Sequence, residues 1–270
     1  MLLAVDVGNT NIVLGIYRGN RLVKAWRVPA QAKHTVDIAR NLRGKNIDAA
    51  IICSVVPGIT SVLKNSVKRF LGLRPVIVGK DIVAPIRNLY DKPKEVGQDR
   101  LVNALAVKIK YGAPAIIVDY GTAITFDLVS ARGEYLGGLI VPGIGIALEA
   151  LFNKAALLPK IKLTKPKALL GKDTVNSMRS GILHGYGALT DGLVNKLRKK
   201  YLKKSKVIAT GGYAKLISRY CQSIDLVDNN LTLEGLRHIY PASSPAKRDG
   251  RDSAPHTGKL RIKVGLHKKF

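Results

Sequence analysis

Residues Leu3–Tyr17 read LAVDVGNTNIVLGIY, two apolar runs joined by a short polar turn. The apolar runs predict two β-strands, and the small polar residues Gly8–Asn11 predict the tight turn between them. Asp6 stands near the end of the first run, where a carboxylate is costly to remove from water. Two explanations are open: Asp6 hydrogen-bonds the backbone of its own turn, or it meets a cation.

The same pattern occurs a second time along the chain. Ala115–Gly143 reads AIIVDYGTAITFDLVSARGEYLGGLIVPG and resembles Leu2–Pro29, with Asp119 in the place of Asp6. In both copies a strand ends in D-x-G and is followed by a small polar turn, a second strand, a glycine-containing turn and a third strand. An internal repeat of this kind predicts a duplicated fold.

The segments after each copy also match in order. Helical and strand periodicities alternate there, at Val36–Leu42, Ala49–Val55, Ile59–Leu71 and Pro75–Val78, then at Ile144–Asn153, Ser180–Tyr201, Lys206–Thr210, Tyr213–Tyr220, Ile224–Val227 and Thr232–Tyr240. Three antiparallel strands followed by helix–strand–helix–strand, used twice, predict an α/β fold with two sheets facing each other across a cleft. We expect domains at 1–112 and 113–240.

The remaining residues, 241–270, fall outside the repeat. They contain eight basic and two acidic residues, and their first half is rich in proline and serine. We expect a disordered basic tail.

Composition excludes some classes of protein. The 270 residues contain no apolar run near the ~20 needed to span a bilayer. We expect no secretory signal, because the first residues lack a basic region followed by an apolar stretch and a small-residue cleavage site. The two cysteines lie far apart without a CxxC pair, which argues against a metal or redox motif. A cytoplasmic enzyme or binding protein fits these features.

The net charge of +27 is unusual, with 45 basic and 18 acidic residues. Such a surface attracts polyanions, including nucleic acid. An ordinary bias of surface composition is the simpler interpretation, because no aromatic-interleaved or helix-turn-helix pattern accompanies the charge.

The two D-x-G turns could bind phosphate. Gly8 and Gly121 allow the backbone to approach an anion, and hydroxyls from Thr10 and from Thr122 or Thr125 can donate to phosphoryl oxygens. A carboxylate beside phosphate requires a cation between them, which favours Mg²⁺ near Asp6. No GxxxxGK[ST] sequence occurs, so P-loop chemistry is excluded.

A helix opens within EVGQDRLVNALAV, residues Glu95–Val107. Asp99 in its first turn is either a helix cap or a general base, and Arg100 could position an anionic group.

Five motifs in order resemble the type III pantothenate kinases. They are D-V-G-N-T-N at Asp6–Asn11, G-Q-D-R at Gly97–Arg100, D-Y-G-T-A-I-T at Asp119–Thr125, GG-x-I-x-PG at Gly137–Gly143 and ATGG at Ala209–Gly212. The resemblance covers about residues 1–240. It implies the duplicated ribonuclease H-like fold of actin-like ATPases, with two sheets flanking a nucleotide cleft.

The resemblance also implies an activity: ATP-dependent phosphorylation of the primary hydroxyl of pantothenate, the first step towards coenzyme A. Asp99 would accept the proton. The ATP phosphates and Mg²⁺ would be held by Asp6, Val7, Gly8, Asn9, Thr10, Asn11, Ile12 and Val13, and ATP also by Thr122. Pantothenate would contact Tyr90, Gly97, Gln98, Asp99, Arg100 and Thr174. Asp119 would bind the monovalent cation, K⁺ or NH₄⁺, that these kinases require, and the protein would be a homodimer.

Two positions depart from the family pattern: Gln98 stands where a small residue is common, and Ile124 replaces a frequent threonine. Two alternatives remain open from the sequence. One is a regulator resembling the Bvg accessory factors that binds nucleic acid, and the other is a different phosphotransferase or phosphatase of the superfamily.

Overall fold

The computed structural model describes residues 1–240 and contains two five-stranded sheets of identical topology. The first sheet has the strand order β3-β2-β1-β4-β5. Its strands are β1 (Leu2–Val7), β2 (Asn11–Arg18), β3 (Arg21–Pro29), β4 (Ala49–Ser54) and β5 (Val76–Ile77). Its helices are α1 (Ala32–Asn41) and α2 (Pro57–Leu71).

The second sheet repeats that order as β8-β7-β6-β9-β10. Its strands are β6 (Ala115–Tyr120), β7 (Ala123–Val129), β8 (Tyr135–Pro142), β9 (Lys206–Thr210) and β10 (Leu226–Val227). The other helices are α3 (Gln98–Lys110), α4 (Ile144–Lys154), α5 (Thr174–Lys200), α6 (Ala214–Ile217) and α7 (Leu231–Ile239). The predicted duplication is confirmed.

Strand register places the two aspartates at equivalent points. In the first sheet Asp6 pairs with Val13 on the antiparallel side and with Cys53 on the parallel side. In the second, Asp119 pairs with Thr125 and Thr210 in the same two directions. Both carboxylates therefore lie at equivalent positions near the ends of the central strands β1 and β6, two residues before the glycine of D-x-G.

Two helices join the sheets through one shared core. Val102 of α3 and Leu233 of α7 are fully buried together with Ile51 of the first sheet and Ile117 of the second. Every residue of α3 from Leu101 to Val107 is buried, as expected for a helix enclosed on all sides.

Helix α5 begins earlier than the sequence predicted. It starts at Thr174 and not at Ser180, because Asp173 caps it by accepting the Asn176 backbone N–H at 2.8 Å. The predicted helix 213–220 is a short α-helix followed by a 3-10 turn, Ser218–Tyr220. The strands predicted at 75–78 and 224–227 have only two residues each.

The domain division after residue 112 stays a prediction, and the predicted tail 241–270 lies outside the described residues. Across residues 1–240, no helix combines the length and apolarity needed to cross a membrane.

Candidate active site

A cavity of about 760 Å³ opens where the two sheets present their D-x-G turns. Most residues expected to bind ATP, cations or substrate line it. They are Asp6, Gly8, Asn9, Thr10, Asn11, Val13, Gly97, Asp99, Arg100, Asp119 and Thr122. Segments distant in sequence thus converge on one cleft.

The two turns touch across this cleft. The hydroxyls of Thr10 and Thr122 lie 2.8 Å apart, and either can donate the hydrogen bond. The first turn is closed by the Gly8 N–H, which donates to the Asn11 carbonyl at 3.0 Å. Small side chains and exposed backbone therefore line both walls, as a phosphate site requires.

Three aspartates, Asp6, Asp99 and Asp119, line this cleft, and each has a raised pKa. Burial raises the pKa of Asp6 well above its ordinary value, and the charges of Asp99 and Asp119 add to the effect, while Arg27 opposes it. No donor within residues 1–240 hydrogen-bonds the Asp6 carboxylate, so the turn-capping alternative has no bond to support it. The cleft is an acidic pocket in a chain of net charge +27.

The two carboxylate oxygens of Asp119 contact Asn103 and Gly211. The Asn103 side-chain amide donates to its Oδ2 at 3.3 Å, and the Thr232 hydroxyl fixes that amide by donating to Asn103 Oδ1 at 2.8 Å. Burial, followed by the charges of Asp99 and Asp127, raises the pKa of Asp119 to about 7. Its neighbour Gly211 has φ +93°, and any Cβ there would clash with Asp119 Oδ1.

Asp99 folds back over the start of α3. Its Oδ1 accepts the Arg100 backbone N–H at 2.9 Å. A Cβ on Gly97 would collide with that same oxygen, which gives the glycine of G-Q-D-R a steric reason. Burial raises the pKa of Asp99, although Arg100 opposes the shift. A raised pKa makes this carboxylate a better proton acceptor.

The Arg100 side chain is held by Asp127 and Tyr135. Its Nε donates to Asp127 Oδ1 at 2.7 Å, and its guanidinium lies 5.8 Å from the centroid of the Tyr135 ring. Its Nη2 is buried and has no hydrogen-bond partner among residues 1–240. An unsatisfied buried guanidinium N–H is suited to a ligand oxygen.

Arg27 is a cleft residue that the sequence analysis missed. It lies on β3 opposite Val13, and its Nη1 comes within 2.6 Å of the position that a Cβ on Gly212 would take. Its charge lowers the pKa of both Asp6 and Asp119. The positively charged guanidinium of Arg27, on the first sheet, thus lies beside the ATGG turn of the second sheet.

Five expected site residues do not line the cleft. Val7 and Ile12 pair with each other and are fully buried. Gln98 packs on Gly79, and Tyr90 packs on Gly137, which has φ +123°. Thr174 is exposed at the start of α5.

The carboxylates of the cleft suit a cation that completes its coordination shell with waters and phosphate oxygens. Within residues 1–240 no three His, Cys, Asp or Glu side chains are grouped closely enough to hold a metal ion by themselves. Mg²⁺ usually takes one or two carboxylates and completes its shell with waters and phosphates. Asp6 and Asp119, whose charges repel each other, fit that requirement.

Comparison with known proteins decides the family. A model of the type III pantothenate kinases matches residues 2–196. The chain belongs to the type III pantothenate kinase family. The type III pantothenate kinase of Syntrophus aciditrophicus is 46% identical over 254 residues, covering 90% of this chain and all of that protein. That of Geobacter sulfurreducens is 48% identical over 250 residues, covering 89% and 98%.

Solved structures agree with the fold expected for a type III pantothenate kinase. A Campylobacter jejuni protein described as a conserved Baf family transcriptional activator has a TM-score of 0.57 at 20% identity, covering 88% of this chain and 96% of its own. Component A of the Acidaminococcus fermentans (R)-2-hydroxyglutaryl-CoA dehydratase has a TM-score of 0.53 at 13% identity, covering 88% and 95%. At these identities the likeness concerns the fold alone, and the predicted actin-like α/β fold is confirmed.

Proposed function

We propose that this cleft transfers the γ-phosphoryl group of ATP to the primary hydroxyl of pantothenate, with Asp99 as the proton acceptor. The activity is that of the family: a kinase with an alcohol acceptor, acting in coenzyme A biosynthesis. The observation that carries the proposed site is the position of Asp99 and Arg100. They lie side by side at the start of α3, within the cleft that both D-x-G turns line.

ATP, entering with Mg²⁺, would bind along the two turns. Backbone from Gly8 to Asn11 and the hydroxyls of Thr10 and Thr122 would contact phosphate oxygens, and Asp6 would hold Mg²⁺ directly or through water. The charge of Arg27 lies close enough to Asp6 and Asp119 to contribute at the same phosphates.

Pantothenate would place its hydroxyl at Asp99 and its carboxylate at Arg100. The hydroxyl oxygen forms a bond to the γ-phosphorus while the bond from that phosphorus to the bridging oxygen of ADP breaks. The hydroxyl proton passes to Asp99. Because such transfers pass through a loose transition state, positioning and charge neutralisation do most of the work, and the proton moves late.

A monovalent cation, K⁺ or NH₄⁺, would bind at Asp119. Such an ion supplies positive charge beside the phosphates. The raised pKa of Asp119 supports this assignment, because a carboxylate that is costly to ionise gains most from a bound cation. The hydrogen bond from Asn103 would orient the carboxylate.

A homodimer would complete the substrate site. Thr174 is exposed and lies outside the cleft lining of its own chain, so a contact from it to pantothenate would come from a second subunit. Exposed apolar side chains around α4 and the segment before α5 support such an interface, since large apolar patches mark contact sites. They include Ile146, Phe152, Leu157, Leu169 and Leu170.

We expect a cytoplasmic protein. The nucleic-acid-binding alternative is not favoured, because the family model and the curated relatives are pantothenate kinases.

Coupled ATP turnover tests the proposal. ADP formation is measured with and without pantothenate, in buffers whose monovalent cation is K⁺, NH₄⁺ or tetramethylammonium. We expect turnover only with pantothenate, and we expect it to fall strongly in tetramethylammonium. ADP formation at the same rate with and without pantothenate would refute the proposed function. So would a lack of ADP formation in every buffer.

A further inference from the structure

Asp127 is a carboxylate inside an apolar strand. It lies on β7 between Phe126 and Leu128, and its side chain is fully buried. A buried charge in such a place is costly unless it is paired and hydrogen-bonded. Its partners therefore indicate why the residue is there.

Three donors converge on this carboxylate. Arg100 Nε donates to Oδ1 at 2.7 Å, and the Tyr135 hydroxyl donates to the same oxygen at 2.8 Å. The Thr125 hydroxyl donates to Oδ2 at 2.8 Å. Thr125 is two residues away on the same strand, shares its face of the sheet and lines the cleft. Asp127 thus stands directly behind the cleft wall.

The guanidinium of Arg100 is confined on its other sides. Only 11% of its side chain is exposed, and the Tyr135 ring covers it at 5.8 Å. A Cβ on Gly138 would lie 2.8 Å from Nη2, so the absence of a side chain there makes room for the guanidinium. Nη2 itself has no partner within the described chain.

We propose that Asp127 is a positioning residue, which fixes the Arg100 guanidinium so that its unpaired N–H groups meet the substrate carboxylate. This inference rests on the proposed function. Asp127 accepts a hydrogen bond from Nε, so rotation of the planar guanidinium would break that bond, and the remaining donors are held in one direction. Asp127 touches neither substrate nor ATP; it acts through Arg100.

Asp127→Asn keeps the shape of the side chain and removes its charge. We expect the KM for pantothenate to rise on the order of tenfold or more, because a freed guanidinium no longer offers a fixed donor pair. We expect kcat and the KM for ATP to change less than about threefold, since the hydrogen bonds of Asp127 go to Arg100, Tyr135 and Thr125 and not to Asp99 or the D-x-G turns. The preference for pantothenate over its alcohol analogue, which has a hydroxymethyl group in place of the carboxylate, should shrink.

A double-mutant cycle with Arg100→Ala separates positioning from a structural role. If Asp127 acts through Arg100, Asp127→Asn raises the pantothenate KM in the natural background and has little further effect when Arg100 is already alanine. Glu134→Gln is the matched control, because it removes an ion pair to Arg87, 3.0 Å long, outside the cleft. We expect that variant to keep its pantothenate KM.

The outcomes are distinct. Additive effects of the two substitutions on the pantothenate KM would overturn the positioning role, and so would a loss confined to kcat or to ATP binding. Pantothenate turnover by the natural chain would still uphold the proposed function in either case. No pantothenate turnover by the natural chain would overturn both. If Asp127→Asn does not fold, Tyr135→Phe removes one donor to the same oxygen, and an unchanged pantothenate KM there would likewise overturn the inference.

Discussion

Replacing Asp119 by Asn should stabilise the metal-free protein, and the gain should grow with pH. Burial and neighbouring carboxylates raise the pKa of Asp119 to about 7 from an ordinary value of 3.8. Below about pH 4 the side chain is protonated in both the folded and the unfolded chain, so it costs nothing. Between pH 4 and 7 the unfolded chain ionises while the folded chain keeps its proton, so the free energy of unfolding falls as pH rises.

The size of the effect follows from the shift. A pKa difference of 1 between the folded and the unfolded chain is worth about 1.4 kcal/mol. The difference of roughly 3 for Asp119 therefore lowers the free energy of unfolding by at most about 4 kcal/mol above pH 7. The charge of Asp119 also raises the pKa of Asp6, so its removal relieves both groups in the same direction. For a domain of this size, a gain of 1 kcal/mol corresponds to roughly 2–4 °C in Tm.

Thermal and urea unfolding at pH 5, 6, 7 and 8, with chelator and tetramethylammonium salts, measures the difference. We expect Asp119→Asn to gain stability over the natural chain from pH 5 to pH 7 and then level off. Added K⁺ at pH 8 should stabilise the natural chain alone. Asp173→Asn is the control: the Asn176 backbone N–H and side chain lower the pKa of Asp173, so its contribution is constant over this pH range. A pH-independent difference for Asp119→Asn would refute the reasoning.

Two further substitutions test the walls of the cleft. Arg27→Gln should raise the KM for ATP on the order of tenfold and leave the pantothenate KM unchanged, because a charged hydrogen bond to phosphate is worth about 1.5–3 kcal/mol; steady-state kinetics decide it, and an unchanged ATP KM contradicts it. Gly211→Ala should lower the free energy of unfolding by about 1–3 kcal/mol, since φ is +93° and the new Cβ meets Asp119. Urea unfolding measures this, with Gly58→Ala as control because a Cβ there meets no atom of residues 1–240 within 4 Å. A Gly211→Ala variant as stable as the natural chain would count against the strain.

Sequence alone was sufficient for the duplicated fold and for the aspartates of its turns. Apolar runs, D-x-G turns and their order are local features, and the two copies of the pattern reinforced each other. The register then placed Asp6 and Asp119 at equivalent points, as the repeat predicted.

Other parts of the site depend on tertiary contacts. Nothing along β3 distinguishes Arg27 from Arg21 or Lys24; only the packing of the two halves brings it beside Gly212. Asp127, by contrast, had a sequence signal, a charge within the apolar run TFDLV. A carboxylate inside an apolar run is as costly at Asp127 as at Asp6, since a buried carboxylate must have partners.

Turnover by Asp99→Asn tests the central claim most directly. Asparagine keeps the size of the side chain and cannot accept the hydroxyl proton. We predict that kcat for pantothenate phosphorylation falls on the order of 10²-fold or more, the usual contribution of a general base, while ATP binding measured by calorimetry stays within a few-fold of the natural chain. Near-normal turnover by Asp99→Asn would contradict the claim, and so would a loss of ATP binding that accounts for the whole defect.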